Sequence, residues 1–202
     1  MITIVSGLPR SGTSLMMQML TAGGIPALTD GQRQPDTDNP RGYYEWERIK
    51  QLPQDPNCIA EAEGKVVKVI SQLLLALPAG KDYRVIFLER PLPEVVASQS
   101  EMIRRRGTQG AGLSEPALIA GLQAHLNQVN AWLRRRPEIH IHRMQYPEVL
   151  RDPLRISEEI QLFLARPLDA QAMAQQVDPS LYRCRSQNYP IKPPPSHPWR
   201  PN

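Results

Sequence analysis

Apolar residues fall along this chain in short blocks whose spacing alternates between two periods. Ile2 to Ser6 is a largely apolar run closed by Gly7, the pattern of a strand buried on both faces. Leu15, Met16, Met19 and Leu20 then recur at helical spacing, and Gly23-Gly24 supplies a stop. The pairing returns with Lys65 to Ile70 and Tyr83 to Leu88, both read as buried strands. A short helical segment, Gln72 to Leu77, follows the first. After the second comes a helix that sets Val95, Val96, Met102 and Ile103 on one face. The clearest helix runs from about Ser114 to Arg136, with Leu118, Leu122, Leu126, Val129 and Leu133 in register and Ser114 as N-cap. A strand over Ile139 to Met144 and a long helix marked by Ile156, Ile160, Phe163 and Leu164 complete the series. Strands alternating with helices predict an α/β fold, three layers deep, with a mostly parallel central sheet flanked by helices.

Two stretches break this rhythm. Residues 30–42 are polar and rich in Asp, Asn, Pro and Gly, which predicts a long loop of the kind that carries function. Beyond Tyr189, six of the last thirteen residues are proline, so 189–202 is expected as an extended tail after a single domain over 1–188. Composition then narrows the class of ligand. The 24 basic and 20 acidic residues give a net charge of +4, a mild surplus that suits a small anion, and aromatics at 5% argue against a nucleic-acid surface. Cys58 and Cys184 form no metal-spacing pair and no disulfide framework, which points to a reducing cytoplasm. No stretch is long enough to span a membrane, and the opening MITIVSGLPRSG reads as a strand rather than a signal peptide.

The candidate chemistry lies between the first strand and the first helix. Gly7 and Gly12 carry the G-x-x-x-x-G spacing of a phosphate loop, in the strand-to-helix context the motif requires. Such a loop turns backbone N–H groups and a helix N-terminus toward an anion. A nucleoside triphosphatase would place Lys directly after the second glycine; here that position is Thr13, and the cation is Arg10. A kinase-like nucleotide enzyme is thereby disfavoured.

Pro9-Arg-Ser-Gly-Thr-Ser14 resembles the 5′-phosphosulfate loop of sulfotransferases, P-[KR]-S-G-T-[ST], in its bacterial and tyrosylprotein form. The resemblance implies 3′-phosphoadenosine-5′-phosphosulfate as co-substrate. Arg10 would neutralise charge on the transferring group, and Ser11, Gly12, Thr13 and Ser14 would bind the 5′-phosphate. Phe87-Leu-Glu-Arg-Pro-Leu-Pro-Glu-Val-Val-Ala-Ser98 is similar to the family's 3′-phosphate motif, an Arg at a strand end and a Ser eight residues on, here Arg90 and Ser98. Tyr146-Pro-Glu-Val-Leu150 with Asp152-Pro153 and Phe163-Leu164 resembles the stretch that closes many of these domains, with a structural role. Tyr182-Arg-Cys-Arg185 is similar to a basic segment that completes the 3′-phosphate site, which would enlist Arg183 and Arg185, although the usual Arg-Lys-Gly is absent.

The resemblance also supplies the catalytic candidates. Lys68-Val-Ile70 keeps the lysine of the family's K-T-H string but not its histidine, so Lys68 is expected near the sulfuryl group and the base must lie elsewhere. Asn39-Pro-Arg-Gly-Tyr-Tyr-Glu45 is similar to the N-P-x-G-[FY]-[FYW]-E string of bacterial members, which makes Glu45 the expected base, with Glu47 and Asp30 behind it. His125, His140, His142 and His197 match no motif. Fixed cations and N–H donors suffice for sulfuryl transfer, so no metal is expected. Arg104-Arg105-Arg106 and Arg134-Arg135-Arg136 close helices, where cations complement the dipole and are usually solvated. The acceptor, a small molecule or a peptide, stays unidentified, and a homodimer is one arrangement the sequence allows. A nucleotide- or partner-binding module that docks through its proline-rich tail is the rival from another class.

Overall fold

The computed structural model describes residues 1–37 and 39–182; the expected tail, the boundary at 188, Arg183 and Arg185 lie outside them. Among the described residues one sheet forms from β1 (Ile2–Gly7), β2 (Val66–Lys68), β3 (Tyr83–Glu89) and β4 (Ile139–Gln145). Its order is β2-β1-β3-β4, and every neighbouring pair is parallel. The helices are α1 (Thr13–Ala22), α2 (Ser71–Leu74), α3 (Leu92–Arg105), α4 (Glu115–Leu133), α5 (Tyr146–Arg151), α6 (Pro153–Leu164) and α7 (Ala170–Ala174). The α/β architecture expected from the alternating periods is the one observed.

Strand alternation divides the core into two layers. Ile2, Ile4, Val67, Val85 and Phe87 face α2, α4 and two 3-10 segments, Glu47–Gln51 and Pro56–Ala62. Val5, Val66, Ile86 and Leu88 face the other way, onto α1, α6 and α7. All six residues of β1 are buried, as its central place demands, whereas β4 among the described residues pairs on one side alone and leaves His140 and Arg143 exposed. The methionines of α1 serve as filler between sheet and helices: Met16, Met17 and Met19 are fully buried.

Chain order then dictates where a ligand can bind. From β1 the chain leads to β2 on one side, and from β3 it leads to β4 on the other. The connections therefore diverge at the carboxyl ends of β1 and β3, opening a crevice there. The phosphate loop follows β1 and Arg90 follows β3, so both flank this crevice. Lys68 ends β2, and Tyr146 directly follows β4.

Three features depart from the sequence reading. Ser114 occupies the N-cap position of α4 but its side chain makes no capping bond. The 3-10 segments and α7 are too short to show a period and were not expected. Arg136 is not simply solvated: it turns back across the fold, donating from Nη1 to the Leu77 carbonyl at 3.0 Å and from Nη2 to the Pro78 carbonyl at 3.0 Å. Its guanidinium also lies 4.7 Å from the Trp132 ring centroid. Arg136→Ala would strip charged donors from partly buried carbonyls, at a cost of about 2 kcal/mol. Urea unfolding should show that loss, while exposed Arg134→Ala should stay within about 0.5 kcal/mol of wild type.

Candidate functional site

The phosphate loop takes its shape from two conformational demands. Arg10 adopts a left-handed backbone (φ 76°) and Gly12, capping α1, adopts φ 101°. A side chain at Gly12 would be impossible for a second reason, because a Cβ there would lie 2.2 Å from the Tyr146 ring. Below the loop, a Cβ on Gly7 would meet the Leu88 carbonyl oxygen at 2.6 Å, so glycine also lets β1 and β3 close up at this point. The first-turn N–H groups of α1 have no intrahelical acceptor, and Gly12, Thr13 and Ser14 border the crevice.

Arg90 braces the loop from the end of β3. It donates from Nη1 to the Arg10 carbonyl at 3.1 Å and from Nε to Glu94 at 3.0 Å. Its guanidinium lies 5.2 Å from the Tyr146 ring and 5.1 Å from the Tyr182 ring, and Tyr182 donates to the same Glu94 oxygen at 2.6 Å. Burial and that acidic partner push the Tyr182 hydroxyl well above the usual tyrosine range. Across the loop, Arg10 donates from Nε to Ser98 Oγ at 3.0 Å, so the two sequence motifs meet in space.

A second cluster lies beside the first. Lys68 is buried, with its ammonium donating to the Tyr43 carbonyl and, at 3.4 Å, to Ser14 Oγ. Glu45 Oε1 stands 3.7 Å from Lys68 Nζ. Burial lowers the Lys68 ammonium to about 8, against the upward pull of Glu45. Arg33 completes the cluster: Nη1 donates to Glu45 Oε1 at 2.8 Å, and its guanidinium stacks 3.3 Å from the Tyr43 ring centroid.

Both clusters open into one cavity of ≈ 410 Å³. Arg10, Gly12, Thr13, Ser14, Glu45, Lys68, Arg90 and Ser98 all line it, so the structure unites eight residues that the sequence scatters between positions 10 and 98. Ser11 is not among its walls. It is 1% exposed, its N–H bonds the Leu8 carbonyl at 3.1 Å, and its hydroxyl is tucked toward Gly7 beneath the loop. Of the reserve bases, Asp30 spends a carboxylate oxygen on the Glu47 N–H at 2.6 Å and Glu47 pairs with Lys50 at 2.6 Å; neither lines the cavity.

Sequence reasoning missed part of the wall. Arg105 and Arg106, read as solvated helix-end charges, line the cavity, and Arg106 pairs with Asp36 of the 30–42 loop at 3.5 Å. For Arg105 a helical signal existed, since Ser98, Met102 and Arg105 stand at i, i+4 and i+7 on one face of α3; Arg106, one residue past the helix, had none. Arg33 had no such signal, because it sits in a loop without periodicity.

The sequence matches no family model, and no curated protein matches it. Solved structures do resemble it. Over 95% of this chain and 90% of the other, the sulfotransferase domain of the Synechococcus PCC 7002 olefin synthase superposes with a TM-score of 0.58 at 16% identity. The Mycobacterium tuberculosis H37Rv sulfotransferase STF1 gives 0.55 at 18% identity, over 90% of this chain and 73% of its own. The sulfotransferase domain from the curacin biosynthetic pathway gives 0.52 at 17%, over 95% and 93%. The chain thus has the fold of sulfotransferase domains. No helix among the described residues is long and apolar enough to cross a membrane.

A lysine pushed down by burial carries a pH signature. Between about pH 8 and 10.5 the unfolded chain holds a proton that the folded chain has released, so wild-type stability rises with pH in that window. Relative to Lys68→Met, wild type should gain up to about 3 kcal/mol over it. Urea unfolding at pH 7, 8.5 and 10 measures the gap; a gap independent of pH would mean that Lys68 is not desolvated.

Proposed function

We propose that this chain is a sulfotransferase that moves a sulfuryl group from 3′-phosphoadenosine-5′-phosphosulfate to a hydroxyl or amine of an acceptor by in-line displacement. One observation carries the reading: a phosphate loop without lysine after Gly12 shares a single cavity with a buried lysine and a carboxylate. The fold likeness supports it, and so does the meeting of Arg10 with Ser98.

The residues present suit such a donor. The α1 N-terminus, Arg10 and Arg90 gather positive potential at one part of the cavity, and its volume falls in the range of small-molecule sites. When bound, the donor supplies an electrophilic sulfur and a phosphate leaving group. Arg10 exchanges its Ser98 bond for the 5′-phosphate and neutralises charge as that phosphate departs. Lys68, still largely protonated at neutral pH, faces the sulfuryl oxygens. Glu45 accepts the acceptor's proton as the new O–S or N–S bond forms and the S–O bond to the phosphate breaks, the electron pair leaving on the phosphate. Tyr43 and Ser14 hold Lys68 at the junction of the two functions.

Calorimetric titration with 3′-phosphoadenosine-5′-phosphate, with ATP plus magnesium in parallel, tests the donor half. Micromolar binding of the bisphosphate is expected, weakened about tenfold or more by Arg10→Ala, which deletes a charge-assisted contact. Glu45→Gln should bind the bisphosphate normally yet fail to consume donor against a panel of phenols, alcohols and amines. A preference for ATP with magnesium would point instead to kinase-like chemistry.

A further inference from the structure

The carboxylate proposed as the base does not sit alone in the cavity. Its Oε1 is the closest approach of two cations, Arg33 at 2.8 Å and Lys68 at 3.7 Å, while no hydrogen bond of the described residues reaches Oε2. Arg33 is fixed independently of Glu45, through its stack on the Tyr43 ring. That ring is fixed in turn: the Tyr43 hydroxyl donates to Asp36 at 2.6 Å, Asp36 pairs with Arg106 at the C-cap of α3, and the Tyr43 carbonyl accepts from Lys68. Tyr43 thus ties the loop, α3 and the end of β2 together. Glu45 itself is anchored through its backbone, where its carbonyl accepts from Thr29 Oγ1 at 2.8 Å and from the Asp30 N–H at 3.3 Å. Its carboxylate, 24% exposed, is oriented by the side chains alone.

We propose that Arg33 is the positioning residue of this site, holding Glu45 by Oε1 so that Oε2 is presented to the acceptor. The inference rests on the reading of Glu45 as base. Arg33 acts through Glu45 and touches neither reacting atom. It holds that carboxylate beside Lys68, so that proton acceptor and sulfuryl-facing cation keep a fixed spacing. A flat guanidinium suits the task better than an ammonium, because it stacks on Tyr43 with its face while donating from its edge.

Lys68 reports whether the arrangement depends on Arg33. Two influences of opposite sign reach its ammonium, since Glu45 raises its titration midpoint and Arg33 lowers it. Removing Arg33 while Glu45 stays in place would therefore raise the midpoint. Removing Arg33 and thereby releasing Glu45 withdraws the stronger influence and lowers it. Among the described residues the charged groups acting on Lys68 are these two, with the Tyr43 carbonyl and Ser14 hydroxyl as neutral partners.

The experiment is NMR titration of isotopically labelled lysine side chains in the intact protein, comparing wild type, Arg33→Ala, Arg33→Lys and Glu45→Gln. The Lys68 midpoint is expected to fall below about 8 in Arg33→Ala, toward that of Glu45→Gln, with Arg33→Lys in between. A rise in Arg33→Ala would overturn the proposal, because Glu45 would then hold its place unaided. Turnover gives a second readout. Arg33→Ala should lower kcat about tenfold or more, with bisphosphate affinity changed less than threefold and Arg33→Lys recovering part of the loss. Full activity of Glu45→Gln would sink the reading of Glu45 as base, and the Lys68 titration would still decide whether Arg33 positions it.

Discussion

The site depends on one buried guanidinium. Arg90 leaves the end of β3 and bonds the carbonyl of Arg10, the residue whose left-handed backbone gives the phosphate loop its bend. A non-glycine residue in that region costs of order 1–3 kcal/mol and persists only when its surroundings hold it there. Here the hold comes from an arginine that is itself committed to Glu94 and flanked by Tyr146 and Tyr182. The tyrosine that flanks Arg90 also excludes any side chain at Gly12, so loop shape, brace and cap are one packing problem. The resemblance assigns Arg90 to a 3′-phosphate; in this fold it also braces the phosphate loop through the Arg10 carbonyl.

Parallel pairing makes such a convergence natural. All four strands run in one direction, so their carboxyl ends share one edge of the sheet, and each delivers a residue to it. β1 delivers the loop, β2 Lys68, β3 Arg90 and β4 Tyr146. Burying a cation here has an energetic cost, visible in the Lys68 ammonium that desolvation lowers to about 8. A wholly structural edge would place an apolar side chain at such a buried position, and a perturbed lysine in a cleft is the mark of a candidate functional site.

What could be read from the chain followed from how local each signal is. The phosphate loop is six contiguous residues between a strand and a helix, and Arg90 with Ser98 spans a single strand-to-helix turn. Strand and helix periods likewise revealed both core layers, since burial imposes them residue by residue. Arg33, Arg106 and Arg136 escaped because their partners are distant in sequence or are backbone carbonyls, which no side-chain pattern encodes. Ser11 shows the converse: it belongs to the motif string, yet its hydroxyl lies beneath the loop rather than on the cavity wall. Glu45 could be named from a resemblance, but its pairing with Lys68 needed the loop of residues 30–42 to be laid over the end of β2.

On the function proposed for this chain, the loop from Gly7 to Ser14 and the end of β3 form one bis-anion site with Lys68 and Glu45 beside it. A crystal structure of the protein with 3′-phosphoadenosine-5′-phosphate tests this most directly. The 5′-phosphate is expected on the α1 N-terminus with Arg10 turned from Ser98 onto it, the 3′-phosphate near Ser98 and Arg90, and open space between the 5′-phosphate and Glu45. A bisphosphate seated outside this cavity, or a 5′-phosphate far from Lys68 and Glu45, would contradict it.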